Sequence, residues 1–260
     1  MTTQPSIPDD EAPLNGVLLE RVLTSLPPGV ILVGGQALGF WMNRFGIPTE
    51  GAAVTADADV IGSVADAQEI ARRLRARIEL PRKTARTSLV AQVRIPTTAG
   101  REGNVDVLHL LFAHGGLRKC GVFTRRVIAG CLSFDLGGGH VLRVMDPFDV
   151  LESRIHNLAG LRGSKGDHVE TQARWGIQVA KAALFSQASG NEEFASRVGA
   201  AVQRLFHLAK SAAGRKAFRL YGIDVLEAID ADLLEAIVPA CARQLDGVRS
   251  MQAERRTGEG

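Results

Sequence analysis

The chain has 260 residues, 45% of them hydrophobic and 23% charged, which is enough apolar content for one generous core or two modest ones and excludes a wholly disordered polypeptide. A formal net charge of +3 and a sequence pI near 9.0 admit an anionic ligand without requiring a nucleic-acid partner. The three cysteines, Cys120, Cys131 and Cys241, are odd in number and far apart, so they form neither a disulfide framework nor a paired metal knuckle, and they point to a reducing compartment.

Residues 1–13 read as a loose leader, rich in prolines and acids and lacking the basic start and apolar run of a signal peptide. The longest apolar stretch, residues 30–42, is interrupted by Gly34, Gly35, Gln36 and Gly39 and is too short to span a bilayer. The expectation is a soluble, cytoplasmic chain with no membrane partner.

Leu14, Val17, Leu18, Val22 and Leu26 recur at helical spacing until Pro27-Pro28-Gly29 stops the element. Residues 30–33 are a β-branched apolar run, read as a buried strand closed by a Gly34-Gly35 turn. A helix is expected over 36–44, with Ala37, Leu38, Phe40 and Trp41 on its apolar face. After a turn-rich connection at 47–54, residues 55–61 alternate as a strand, and Ala67, Ile70, Ala71 and Leu74 mark a helix over 64–78.

Further strands are expected at 88–95, 104–111, 131–136 and 141–144. Asp146-Pro147 is a strong helix start, an acid at the cap followed by proline at the first helical position. Helices follow at 148–161, 168–188, 192–212, 216–221 and 225–244, and residues 254–260 lack apolar content and read as a frayed tail. The fold class is α+β, with an α/β-like order of elements in the first half: a mixed-sheet domain over 14–145, a helical domain over 146–250, and flexible termini at 1–13 and 251–260.

Residues two apart on a strand share a face, so Asp57 and Asp59 project together. Two carboxylates forced close repel unless a cation, a basic neighbour or water offsets the charge, and a divalent metal is the most direct solution. Asp106, in Asn104-Val105-Asp106-Val107-Leu108, is the third acid; three converging carboxylates could hold two metals about 3.5–4 Å apart for an in-line displacement, with Asp106 as general base. Magnesium, which takes a few carboxylates plus substrate phosphate oxygens, fits such a set.

Upstream, Gly34-Gly35-Gln36 leaves a strand and opens a helix, so free amides and the positive end of the helix dipole face any anion there, and a triphosphate fits that place. Taken singly, a Gly-Gly turn is usually only a turn and an Asp-x-Asp pair is usually a loop or solubility device. Their order along the chain is the specific signal: strand, Gly-Gly, helix, Asp-x-Asp strand, helix, strand with one Asp.

These residues resemble the nucleotidyltransferase superfamily related to DNA polymerase beta. Gly34-Gly35-Gln36-Ala37-Leu38, Thr55-Ala56-Asp57-Ala58-Asp59 and Val105-Asp106 look most like the bacterial branch that contains abortive-infection type IV toxins, a toxin–antitoxin setting. The resemblance covers residues 30–111; beyond it, Ser153-Arg154 and Lys165-Gly166-Asp167 are only loosely similar to basic and acidic positions of that branch.

The resemblance implies transfer of a nucleoside monophosphate from an NTP to a hydroxyl of an RNA, protein or small-molecule acceptor with Mg2+ or Mn2+. It makes Asp57, Asp59 and Asp106 catalytic metal ligands and Asp106 also the base. Gly34, Gly35, Gln36, Arg154 and Lys165 are the candidate nucleotide contacts. Two departures stand out: the spacer between Gly35 and Asp57 is long, and Gly35 stands where many active members carry serine. They motivate an alternative, a non-catalytic module of the same fold acting as an antitoxin-like or regulatory partner. A third reading, a glycosyltransferase using Asp-x-Asp, lacks a large nucleotide-sugar domain.

The run Arg72, Arg73, Arg75, Arg77, Arg82, Lys83 and Arg86 is either a phosphate-backbone contact or a solvated helix face and turn; no aromatic residues are interleaved for base stacking. His109 and His114 lack ligand spacing, and Trp41 and Trp175 read as core.

Overall fold

A computed structural model of the chain describes residues 14, 16–49, 57–82, 84–97, 101–112, 117–190 and 195–257. It forms two compact units, Met1–Asn43 with Pro48–Val150, and Arg44–Ile47 with Leu151–Gly260. The first carries a mixed sheet with helices and the second is helical, an α+β fold as expected. Among the described residues no helix is long and apolar enough to cross a membrane.

In the first unit, α1 (Gly16–Ser25) leads into β1 (Ile31–Val33), and α2 (Gly34–Arg44) begins on the next residue. The expected Gly-Gly turn is thus compressed into one residue: Gly34 adopts φ +66°, a left-handed conformation that costs glycine nothing, and Gly35 is already helical. β2 (Ala58–Ile61) is followed by α3 (Val64–Leu74), which opens with a reciprocal capping box: Ser63 N donates to Asp66 Oδ2 at 2.8 Å, and Asp66 N to Ser63 Oγ at 3.3 Å.

α3 was expected to run to residue 78, but Arg75 at φ 54° ends it, its amide donating back to the carbonyls of Ala71 and Arg72. The freed residues Arg77–Glu79 become β3, an edge strand whose Arg-Ile-Glu alternation the helical reading overlooked. β4 (Leu89–Pro96), β5 (Glu102–Leu108), β6 (Leu132–Asp135) and β7 (Val141–Val144) complete a seven-stranded sheet in the order β3-β4-β5-β2-β1-β7-β6. β2 and β5 run parallel, as do β1 and β7, while the remaining neighbours are antiparallel.

One face of this sheet is apolar throughout. Leu32, Ala58, Val60, Ala91, Val93, Ile95, Val105, Val107, Leu142 and Val144 are all at most 1% exposed, and the strand registers place them on one side. Each larger member contributes about 1.5–3 kcal/mol by leaving water, so a one-residue slip of any central strand is prohibited. That constraint fixes which side chains must emerge on the opposite face.

A helix beyond those expected from the sequence, α4 (Leu117–Gly130), precedes β6. Its buried Cys120, Phe123, Thr124 and Val127 recur at i, i+3, i+4 and i+7, a helical signal present in the sequence. Thr124 Oγ1 donates to Cys120 O and accepts from Leu111 N, both at 2.8 Å, tying the helix to the chain leaving β5. Trp41 is core, as expected: its Nε1 donates to Met145 O at 2.8 Å, and its ring meets Phe40 and Phe134 edge-on.

Asp146 and Pro147 start α5 (Pro147–Lys165) as anticipated, with Asp146 Oδ1 accepting from Phe148 N at 2.9 Å. The division between the compact units falls after Val150, inside α5, and Asp149 in the first turn of that helix pairs with Arg126 of α4 at 2.8 Å.

In the second unit α6 (His168–Ala188), α7 (Ala195–Lys210) and α8 (Ala212–Tyr221) follow. A methyl group on Gly176 of α6 would stand 3.2 Å from Leu151 Cδ1, which marks close helix packing. The helix expected over 192–212 ends at Lys210, where Ser211 caps α8 through Gly214 N at 3.0 Å. The single helix expected over 225–244 is instead a 3-10 turn (Val225–Ala228), α9 (Ala231–Ile237), a second 3-10 turn (Pro239–Cys241) and α10 (Ala242–Thr257), divided by the Asp230 cap and Pro239.

The tail expected to fray is helical through Thr257. Arg255 explains why: it pairs with Asp224, donates to Ala209 O at 3.1 Å, and lies over the Phe218 ring at 4.6 Å.

Candidate active site

The strand registers line up one row of residues across five strands: Glu79 on β3, Gln92 on β4, Asp106 on β5, Asp59 on β2 and Val33 on β1. Neighbouring strands lie about 4.8 Å apart, and directly opposite residues face the same side. Asp59 and Asp106 are therefore adjacent, in register, on parallel strands. Their flanking residues Ala58, Val60, Val105 and Val107 are fully buried on the apolar face, so pleating alone drives both carboxylates to the opposite one, where both residues are half-buried.

Gly34 closes the site from the β1 side. A Cβ at this position would fall 2.9 Å from both Cβ and Cγ of Asp59, and nearer still to Oδ2. The Asp59 carboxylate thus packs against the Gly34 backbone where α2 begins, and the first turn of that helix carries no acid of its own. The free amides and dipole of a helix start favour negative charge there.

On the other flank, Gln92 Nε2 donates to Asp106 Oδ1 at 2.7 Å. Beyond it a polar layer continues to the sheet edge: Arg94 donates to Asn104 Oδ1 at 2.9 Å and Arg77 bridges Glu79 and Glu102. The Arg77 hydrogen bonds hold the Glu102 carboxyl below its ordinary range, and the Glu102 bonds push the Arg77 guanidinium above its own. Gln92 was missed in the sequence, where only its alternation with Ala91 and Val93 marks it as facing away from the core.

Asp57 occupies the bend just before β2 and is not on the strand as expected, because the β1–β2 ladder ends at the pair Val33–Asp59. Thr55 and Ala56, its companions in the motif, lie outside the described residues. Among the described residues, no group of three or more His, Cys, Asp or Glu side chains is gathered where one ion could be held. The β2–β5 register brings Asp59 and Asp106 side by side.

Gln36 is 7% exposed in the first turn of α2. Arg154, in the helical unit, is likewise 7% exposed and donates to Gln172 Oε1 at 2.9 Å and Ser153 Oγ at 3.1 Å. Lys165 is the last residue of α5, and its side chain lies outside the described set. Asp167 pairs with Arg162 and makes no side-chain cap bond to α6.

The arginine run between residues 72 and 86 is not a uniform positive stripe. Arg72 and Arg73 share Glu69, which lies just outside that window, while Arg77 is taken by Glu79 and Glu102. Arg75, Arg82 and Arg86 remain exposed, and Lys83 lies outside the described residues.

Chemically, the arrangement offers two oxygen-donor side chains in register, one accepting from an amide donor and the other packed on a glycine backbone at a helix start. Compared with protein-family models and with curated proteins, the chain matches none.

Proposed function

We propose that the chain is a nucleotidyltransferase that moves a nucleoside monophosphate from an NTP to a hydroxyl of an RNA, protein or small-molecule acceptor. The observation that carries this reading is the in-register pair Asp59–Asp106, with Gly34 packed on Asp59 at the start of α2. Magnesium takes one or two carboxylates and completes its shell with substrate phosphates and water, and the pair meets that requirement. Asp59 and Asp106 would hold Mg2+ or Mn2+, with Asp57 beside them. Bound there, the cation would neutralise triphosphate charge and acidify the acceptor hydroxyl.

The chain's own residues do the rest. The first amides of α2 receive phosphate oxygens, and the missing side chain at Gly34 lets the Asp59 carboxylate stand at the same helix start. Asp106 accepts the hydroxyl proton as the hydroxyl oxygen attacks the α-phosphorus; the bond to the β-phosphate bridging oxygen breaks and pyrophosphate leaves. Glu79 and Glu102 are tied to Arg77, which keeps their charge from adding to that of the pair.

The test is incubation with each α-labelled NTP and Mg2+, scoring label transfer and pyrophosphate release. Wild type should transfer label, and Asp57→Asn and Asp59→Asn should fold and lose transfer. Nucleotide binding without pyrophosphate release in wild type would instead favour the antitoxin-like binding module.

A further inference from the structure

Resting on that reading, we propose that Gln92 is the positioning residue of the site, a neutral donor that orients the Asp106 carboxylate without cancelling its charge. Gln92 stands directly opposite Asp106 in the β4–β5 register, and its Nε2 meets Oδ1 at 2.7 Å. An amide can donate to a carboxylate only through its nitrogen, so Oδ1 is held as an acceptor by a side chain that is itself half-buried.

The choice of residue type follows from its neighbours in the row. Glu79 lies on one side of Gln92 and Asp106 on the other, with Asp59 next beyond. A glutamate at position 92 would put four acids in one line across four strands. A lysine or arginine would keep a donor but bring a full positive charge against the carboxylate that has to attract a cation. A neutral amide avoids both. Partners of this kind, which orient a metal-binding side chain from behind, typically change metal affinity or activity 10–100-fold when removed.

The experiment compares wild type, Q92M, Q92K and Q92H at pH 8 for Mn2+ binding by calorimetry, for melting temperature, and for NTP turnover, with D59N as the control that the binding reports this site. Methionine keeps the length and removes the donor, lysine adds charge, and neutral histidine can place an Nε2 donor where the amide nitrogen was. Q92M and Q92K should bind Mn2+ roughly 10–100-fold more weakly, with kcat falling more than KM rises, while Q92H stays close to wild type.

Equal affinity in all four proteins would overturn the role of Gln92 and leave the transfer reading standing. Equal weakening of all three variants, tracking a lowered melting temperature, would make Gln92 merely structural and also overturn it. Mn2+ binding that depends on Gln92 in a wild type that never consumes NTP would support the positioning role while removing the transfer reading. A wild type that binds no Mn2+, either alone or with a non-hydrolysable NTP present, would overturn both.

Discussion

The backbone of Gly34 sits against the carboxylate of Asp59: any Cβ on residue 34 would lie 2.9 Å from Asp59 Cγ. This contact joins the end of β1, the start of α2 and the acid of β2 in one place, and it makes the glycine a requirement of the site.

Gly34→Ala should therefore be costly. Alanine at φ +66° carries about 1–2 kcal/mol of backbone strain, and the clash with Asp59 adds about 1–3 kcal/mol. Urea denaturation should show a loss of about 2–5 kcal/mol with the slope unchanged. Gly16→Ala, where a Cβ would meet nothing within 4 Å, should stay within about 0.5 kcal/mol of wild type.

Asp59 and Asp106 place like charges side by side, so neutralising one should relieve repulsion in the metal-free protein. Asp59→Asn would lose that repulsion together with the favourable placement of its charge at the start of α2, so its stability in EDTA should stay within about 1 kcal/mol of wild type. Added Mg2+ should then stabilise wild type and not the variant. A variant clearly less stable than wild type in EDTA would mean that Asp59 is held as a structural acceptor.

How much of this was legible differs from residue to residue. The acids could be found because alternation in Ala58-Asp59-Val60 and Val105-Asp106-Val107 leaves their side chains only one face, and the glycine because a strand ended there. That β2 and β5 are neighbours could be posed from the sequence only as the condition for the acids to converge, because the pairing joins residues far apart and no local spacing encodes it. Gln92 was hidden for the same reason, since its role exists only through the β4–β5 register. The extended tail was misread for a different cause. Its polar composition suggested fraying, yet one arginine with an acid, a carbonyl and an aromatic face holds it in place.

That arginine gives a stability prediction for the helical unit. Arg255 and Asp224 have side chains 9% and 13% exposed, so removing Arg255 leaves a nearly buried Asp224 carboxylate without its cation, although the Leu226 amide still donates to it. Arg255→Met should cost about 3 kcal/mol by chemical denaturation. Hydrogen exchange should show the last turns of α10 opening first. A change under about 0.5 kcal/mol would mean that the tail adds nothing to the unit.

Glu69 gives a pH prediction. The hydrogen bonds from Arg72 and Arg73 lower its carboxyl from an ordinary 4.5 to about 2. Because the folded value is the depressed one, whatever stability Glu69 contributes is fully present above about 4.5 and is lost as pH falls toward about 2. NMR titration should show Glu69 ionised at pH 3, and in Glu69→Gln the pH dependence of stability between those limits should be reduced. A Glu69 that titrates near 4.5 would mean that the arginines do not engage it in solution.

The most direct measurement is a crystal structure of the protein with Mg2+ and a non-hydrolysable NTP. It should show a cation coordinated by Asp59 and Asp106 and phosphate oxygens within hydrogen-bond distance of the amides at Gly34 and Gly35. A nucleotide bound elsewhere, or a cation site that includes neither acid, would contradict the proposed function.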